Sequence, residues 1–272
     1  MEKIKAPISN LKKYIHLNEY VSNKLNLKIL NELGFFIIRD GLNKNVVNEY
    51  LRRYLSELSS GRIKKSDYHL TEVKVTGESS LVDILKEKDF QKLAINFFNG
   101  NVGSDFIRVI NKDSENYASV FLHQDTSYQI GNFERYSFFI ALTDCNESNG
   151  GIILYPGTHK FGYLGDAGEI KDFLPDNFPK VESSLFPGDI LIMHSSTWHK
   201  SNENLSRTNR TYLEVHLQNI NEPSTIYNIA GVRKSEWLLN MTHDEIFANS
   251  RTQRIRSLQS ELEKIKKNPA ES

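Results

Sequence analysis

Cysteine is almost absent: Cys145 is the only one in 272 residues. One thiol closes no intrachain disulfide and builds no Cys-based zinc site. A lone cysteine fits a reducing compartment, so a cytoplasmic location is expected. Net charge is absent too, because 34 basic side chains are matched by 34 acidic ones. The basic footprint of a nucleic-acid-binding protein is missing, and no nucleic-acid partner is expected. No apolar run reaches the length of a membrane span, and Met1–Pro7 holds no apolar signal core, so no membrane partner is expected. Internal repeats and low-complexity tracts are also lacking.

What is present is enough apolar residue, 39% of the chain, to bury one sizeable core, so a single domain over 1–272 is expected. Residues 1–20 read as a polar N-terminal arm. Leu25, Ile29, Leu30 and Leu33 recur at helical spacing before Gly34, which predicts a helix over about 21–33. Phe35–Arg39 is a buried strand. Asn43 or Asn45 caps a helix whose inner stripe is Val46, Val47, Tyr50, Leu51, Tyr54 and Leu55. Leu70–Thr76 reads as a strand and Leu81–Phe98 as one helix.

The period then changes to two. Strands are expected over 105–110, 118–122, 136–142, 151–155, 189–194 and 211–217, with Gly, Pro, Asn and Asp between them. This pattern predicts an antiparallel sandwich or barrel behind a helical start, hence an α+β class. Residues 160–185 form a possible lid insertion, and 235–272 a charged helical extension.

One strand end carries chemistry. Side chains two apart on a strand share a face, so His123 and Asp125 project together while Gln124 turns away. An imidazole and a carboxylate joined by a second histidine make the facial triad of non-haem Fe(II) oxygenases. His194 and His199 both stand downstream. Ser201 follows His199, and Arg210 lies 11 residues beyond it, at the start of the next strand. A guanidinium with a neighbouring hydroxyl fits the far carboxylate of a dicarboxylate co-substrate. This favours His199 as the third ligand and leaves His194 as a histidine packed behind the site.

Three stretches together resemble the phytanoyl-CoA dioxygenase family: His123-Gln124-Asp125, Asn149 through Lys160, and Pro187-Gly188-Asp189 through His199, Ser201 and Asn204 to Arg210. The resemblance covers about 21–220. It implies a double-stranded β-helix, a jelly-roll or cupin-like barrel, with Fe(II) held by His123, Asp125 and His199. It implies 2-oxoglutarate and O2 as co-substrates, with Arg210 and Ser201 at the C5 carboxylate. Asn111 is the candidate near the C1 end. No catalytic residue is implied beyond the metal centre. Related halogenases have a small residue in place of Asp125, so its carboxylate points to hydroxylation, with release of succinate and CO2, while desaturation, ring closure and epimerisation stay open to the same chemistry.

Thr126, Tyr128, Arg108, Tyr117 and Trp198 are candidates for the substrate pocket, Arg108 as the partner of an anionic group. His159 reads as structural. The expected partner is a small-molecule or carrier-linked biosynthetic intermediate, and the expected assembly a monomer or homodimer. The competing readings are a non-redox jelly-roll protein that binds a metabolite or sugar, and a cupin-like metal-dependent isomerase or lyase. Neither needs a dicarboxylate anchor at the spacing of Ser201 and Arg210.

Overall fold

The computed structural model describes residues 5–64, 72–75, 77–128, 134–163, 170, 174–206 and 208–234. Its frame is a pair of sheets. The large one contains β1 (Val21–Ser22), β2 (Phe35–Ile38), β4 (Val102–Lys112), β6 (Tyr136–Ala141), β9 (Ile190–His194), β11 (Arg210–Asn219) and β12 (Tyr227–Ala230). Their order is β1-β2-β9-β6-β11-β4-β12, and β3 (Glu72–Lys74) also pairs with β4. The small sheet runs β5 (Val120–His123), β10 (His199–Ser201), β7 (Ile152–Leu154), β8 (Val181–Glu182). All the pairings are antiparallel except β1 with β2. The sheets face each other as a double-stranded β-helix, the jelly roll expected.

Strand alternation sorts the core into two layers. On β6, Phe138 turns out to α4 (Lys88–Phe97) and meets Phe90 edge-on at 6.0 Å. Its neighbour Phe139 turns into the barrel and meets Tyr212 at 5.8 Å. The inward face of β11 therefore carries Arg210, Tyr212, Glu214 and His216, and that of β4 carries Phe106, Arg108, Ile110 and Lys112, by their register. Aliphatic residues fill the outward face, where Leu213 and Val215 are fully buried.

Some expectations need correction. The arm 1–20 contains helix α1 (Lys5–His16), because Leu11, Tyr14 and Ile15 at helical spacing give it an apolar face that packs on the core. The helix expected over 21–33 starts only at Leu27, as α2 (Leu27–Leu33). The Asn26 side chain caps it, accepting from the Ile29 amide at 3.3 Å, and frees Val21–Ser22 to pair with β2. Helix α3 (Lys44–Ser59) is capped by Asn43 as expected. The helix expected over 81–98 breaks at Glu87 into a 3-10 segment, Ser80–Lys86, and α4. The insertion 160–185 contributes β8 to the small sheet, where it pairs with β7. Its residues 164–169 and 171–173, like the extension 235–272, lie outside the described residues.

Candidate metal centre

Strand β5 ends at His123, and a 3-10 turn, Asp125–Tyr128, follows at once. Strand β10 begins at His199, which lies directly opposite His123 in the ladder. The two imidazoles sit with ring centroids 4.3 Å apart. His123 Nε2 is 3.5 Å from Asp125 Oδ1, and His199 Nε2 is 3.6 Å from the same oxygen. The three ligand atoms all lie within 4.8 Å of one another.

Backbone carbonyls aim both rings. His123 Nδ1 donates to the Phe121 carbonyl at 2.8 Å, and His199 Nδ1 donates to the Thr197 carbonyl at 3.0 Å. That fixes the tautomer with Nε2 toward Asp125, as metal-binding histidines require. Burial pushes the His199 imidazole down to about 4, so it stays neutral. Burial alone raises the pKa of Asp125, but His199, His123 and Arg108 together hold its carboxyl well below the usual carboxylate range. A neutral His199 imidazole and an ionised Asp125 carboxylate are protonation states suited to a metal.

A second group, Asp125, Glu214 and His216, also falls within 4.8 Å. Its atoms are already engaged. His216 Nε2 donates to Glu214 Oε1 at 2.8 Å, and Arg108 Nε donates to Glu214 Oε2. The His123, Asp125 and His199 group is therefore the better metal site.

The histidine that competed for the third position is elsewhere. His194 Nδ1 accepts from the Ser196 amide at 3.0 Å, and its ring packs against Tyr136 and His159. His159 is structural, donating from Nε2 to the Asn31 carbonyl at 3.0 Å. Gly34, the helix stop, braces this corner at φ +85°. Its carbonyl accepts from the His194 amide at 2.8 Å and from Thr197 Oγ1 at 2.9 Å. A Cβ on Gly34 would come within 2.5 Å of both Thr197 Oγ1 and His159 Nδ1.

A cationic end lies deeper in the barrel. Arg210 is 2% exposed, its guanidinium stacks 4.8 Å from the Tyr212 ring, and its Nε and Nη2 are buried without a partner. Lys112 is fully buried beside it and donates to Ser201 Oγ at 2.8 Å and to the Asn202 carbonyl. Burial, with Arg210 adding to it, pushes the Lys112 ammonium down to about 7. Buried, unspent guanidinium donors are costly unless an anion takes them. Two cations and a hydroxyl at one point fit a carboxylate of a bound dicarboxylate.

Lys112 was not singled out in the sequence, where Asn111 was the candidate for the C1 end of the co-substrate. Asn111 does not join the group: its Oδ1 accepts from Thr211 Oγ1 at 2.7 Å and its Nδ2 donates to Asp113 at 2.9 Å, on the outer face of the strand. One position along a strand exchanges the two faces. Gly150, in the motif Asn149-Gly150-Gly151, was a usable signal. It has φ +77°, and a Cβ there would lie 2.7 Å from the Asn202 carbonyl and 3.1 Å from Lys112 Cδ.

The other pocket candidates scatter. Arg108 lies on the inner wall, but Glu214 already takes its charge, so it is not simply waiting for an anion. Thr126 is pinned, with its amide on the Ser195 carbonyl and its hydroxyl 2.8 Å from Ser196 Oγ. Tyr117 is half exposed on the loop before β5. Trp198 lines a cavity of about 340 Å³ with Leu122, Tyr155, Leu174 and Phe178. The side chain of Tyr128 lies outside the described residues. Phe121 was missed. It shares a face with His123 by the same period of two, meets that ring at 5.5 Å, and is 41% exposed.

No described helix is long and apolar enough to cross a membrane. The chain is 24% identical over 212 residues to dioxygenase olcK of Penicillium canescens, covering 69% of this chain and 68% of that one. It is 26% identical over 154 residues to dioxygenase cdmD of Talaromyces verruculosus, covering 52% and 48%, so it spans about half of that relative. Its fold matches SnoN, a non-haem α-ketoglutarate-dependent epimerase from nogalamycin biosynthesis, with a TM-score of 0.64 at 16% identity, over 79% of this chain and 93% of that one. It matches the non-haem monooxygenase ThoJ with a TM-score of 0.64 at 17% identity, over 89% and 98%. The phytanoyl-CoA dioxygenase (PhyH) family model matches residues 30–212, and the chain therefore belongs to the phytanoyl-CoA dioxygenase family.

Proposed function

We propose that this protein is an Fe(II)- and 2-oxoglutarate-dependent oxygenase that hydroxylates a C–H bond of a small-molecule or carrier-linked biosynthetic intermediate. The supporting observation is a juxtaposition: three metal-type ligands and a buried pair of cations share one barrel interior. His123, Asp125 and His199 would hold the iron. Arg210, Lys112 and Ser201 would hold the far carboxylate of 2-oxoglutarate. When bound, iron, 2-oxoglutarate and O2 supply the oxidising power for C–H cleavage, with succinate and CO2 released.

The chain's own residues bind, orient and exclude water. The Phe121 and Thr197 carbonyls keep both imidazoles aimed. Ser137 Oγ donates to Asp125 Oδ2 at 3.5 Å, steadying the carboxylate. Arg108, partly exposed on β4, and Phe121, beside His123 on β5, would be the residues nearest an incoming substrate. The carboxylate of Asp125 argues for hydroxylation over halogenation. The unspent donors of Arg210 argue against a metabolite-binding protein and against a cupin isomerase, which need no such anchor.

The test is anaerobic addition of Fe(II) and 2-oxoglutarate. A weak visible charge-transfer band is expected in the wild type and not in Asp125→Ala. Absence of the band, together with no succinate formed in air, rejects the proposal.

A further inference from the structure

The small sheet has a reverse face. Leu122 stands next to His123 on β5, so its side chain turns to the side opposite the metal ligands. The described part of the insertion 160–185 is fastened there. Gln124 donates from Nε2 to the Gly162 carbonyl at 2.7 Å and to the Ser196 carbonyl at 3.1 Å. The Ile170 amide donates to the Leu122 carbonyl at 2.8 Å. Between the insertion and the sheet lies the cavity of about 340 Å³, a volume ordinary for a small-molecule site. Neither the metal ligands nor the cations of the carboxylate anchor line it.

The lining says what would fill this space. Leu122, Tyr155 and Trp198 form the sheet wall, and Leu174 and Phe178 the insertion wall. Phe161 meets the Trp198 ring edge-on at 5.6 Å and braces it. Aromatic walls of this kind suit a flat apolar ring. Charge at the rim decides the rest. Lys180 pairs with Glu182 at 3.0 Å, and Lys200 and Glu147 stand beside them. Two cations thus meet two anions, and Asp176, exposed where the cavity opens, adds a third anion among the described residues. We infer that this cavity is a second small-molecule site: it takes a flat ring compound that is neutral or carries an ammonium, and it disfavours a carboxylate. An ammonium there meets both the Asp176 carboxylate and the aromatic walls. The inference is independent of what His123, Asp125 and His199 hold.

The test is saturation-transfer NMR on the full chain with three probes that share one ring: indole, tryptamine and indole-3-acetate. Tryptamine should bind more tightly than indole by about two- to fivefold, the ratio of one exposed ammonium contact with a ring or a carboxylate, and indole-3-acetate more weakly than either. Leu174→Arg, which puts a long cation into the insertion wall, should weaken all three. Asp176→Asn, at an exposed position, should bring tryptamine down to the level of indole, and it stands as the test if Leu174→Arg fails to fold. Adding Zn(II) and 2-oxoglutarate should leave the three affinities unchanged. No binding of any probe, indole-3-acetate binding most tightly, or affinities and order unchanged in both variants overturns the inference. So does displacement of the probes by 2-oxoglutarate, which would put them in the barrel interior.

Discussion

Lys112 and Arg210 are direct partners across the β4–β11 ladder, both on the inward face. Two cations side by side in a barrel interior repel, and burial adds to the cost. The structure relieves only one of them. The Lys112 ammonium donates to Ser201 Oγ and the Asn202 carbonyl, whereas Arg210 keeps two buried donors unpaired. The pair thus leaves buried donors that suit an anion from outside the chain.

The affinity for 2-oxoglutarate should depend on pH through Lys112. Its ammonium in the free protein is held down to about 7, so raising the pH through that value removes a cation from the anchor. The dissociation constant of the Mn(II)-loaded protein should rise as pH goes from about 6 to about 9. Lys112→Met should bind more weakly at the acid end and lose this slope. Calorimetric titration checks it; a slope that survives in the variant rejects the role.

Arg210→Ala should weaken 2-oxoglutarate binding by about 2–5 kcal/mol, the usual cost of removing one partner of a buried charged hydrogen bond. Arg210→Lys should recover only part, because an ammonium lacks the fork that meets a carboxylate at two points. Titration of the charge-transfer band measures both, and wild-type affinity in Arg210→Ala contradicts the assignment.

Metal binding should separate the two downstream histidines. His199→Ala should abolish stoichiometric Co(II) binding, because it removes one of three ligand atoms that converge on a point. His194→Ala should retain it, since His194 packs on Tyr136 and His159 behind the site. Cobalt absorption spectra read the result, and the opposite pattern would make His194 the ligand.

Acid should destabilise the metal-free protein through buried histidines. Burial, with His159 adding to it, pushes His194 from 6.5 down to about 4. Between those values the unfolded chain binds a proton that the folded chain refuses, so stability is full above 6.5 and is lost as pH falls toward 4. The contribution of His194 is at most about 2 kcal/mol at about pH 5. His194→Gln should flatten the fall in urea midpoint across this range; an equally steep fall in the variant would assign the acid sensitivity to other groups.

Gly150→Ala should disturb stability and the anchor together. Alanine is strained at φ +77°, and its Cβ would press on the Asn202 carbonyl and the stem of Lys112. A loss of about 1–3 kcal/mol is expected from strain of this kind, with weaker 2-oxoglutarate binding. Thermal melting and calorimetry check the two effects, and a variant that melts and binds like the wild type shows that the anchor does not need the glycine.

Much of the site was legible because its signals are local. His123 and Asp125 share a face through a period of two, and His199, Ser201 and Arg210 follow in one short stretch of chain. The Gly34 stop, the Asn43 cap and strands β4, β5, β6, β7, β9 and β11 were legible for the same reason: capping and alternation are written within a few residues, whereas the short β8, β10 and β12 were not expected. Helix α1 was harder to see, since only contact with the core distinguishes its apolar face from a loose arm.

The sequence by itself determined which chemistry the chain can hold: imidazole, carboxylate and guanidinium in an order suited to one metal and one dicarboxylate. Only the tertiary structure decided how those groups are deployed. It placed His199, already favoured over His194 by the neighbouring Ser201 and Arg210, directly opposite His123. It turned Lys112 inward and Asn111 outward through the β4–β11 register, which a shift of one residue would invert. It also cancelled the charge of Arg108 with Glu214, a partner 106 positions away along the chain. Alternation is a property of neighbours, and sequence displays it; strand register and cross-sheet pairing join distant residues, and only the folded barrel fixes them.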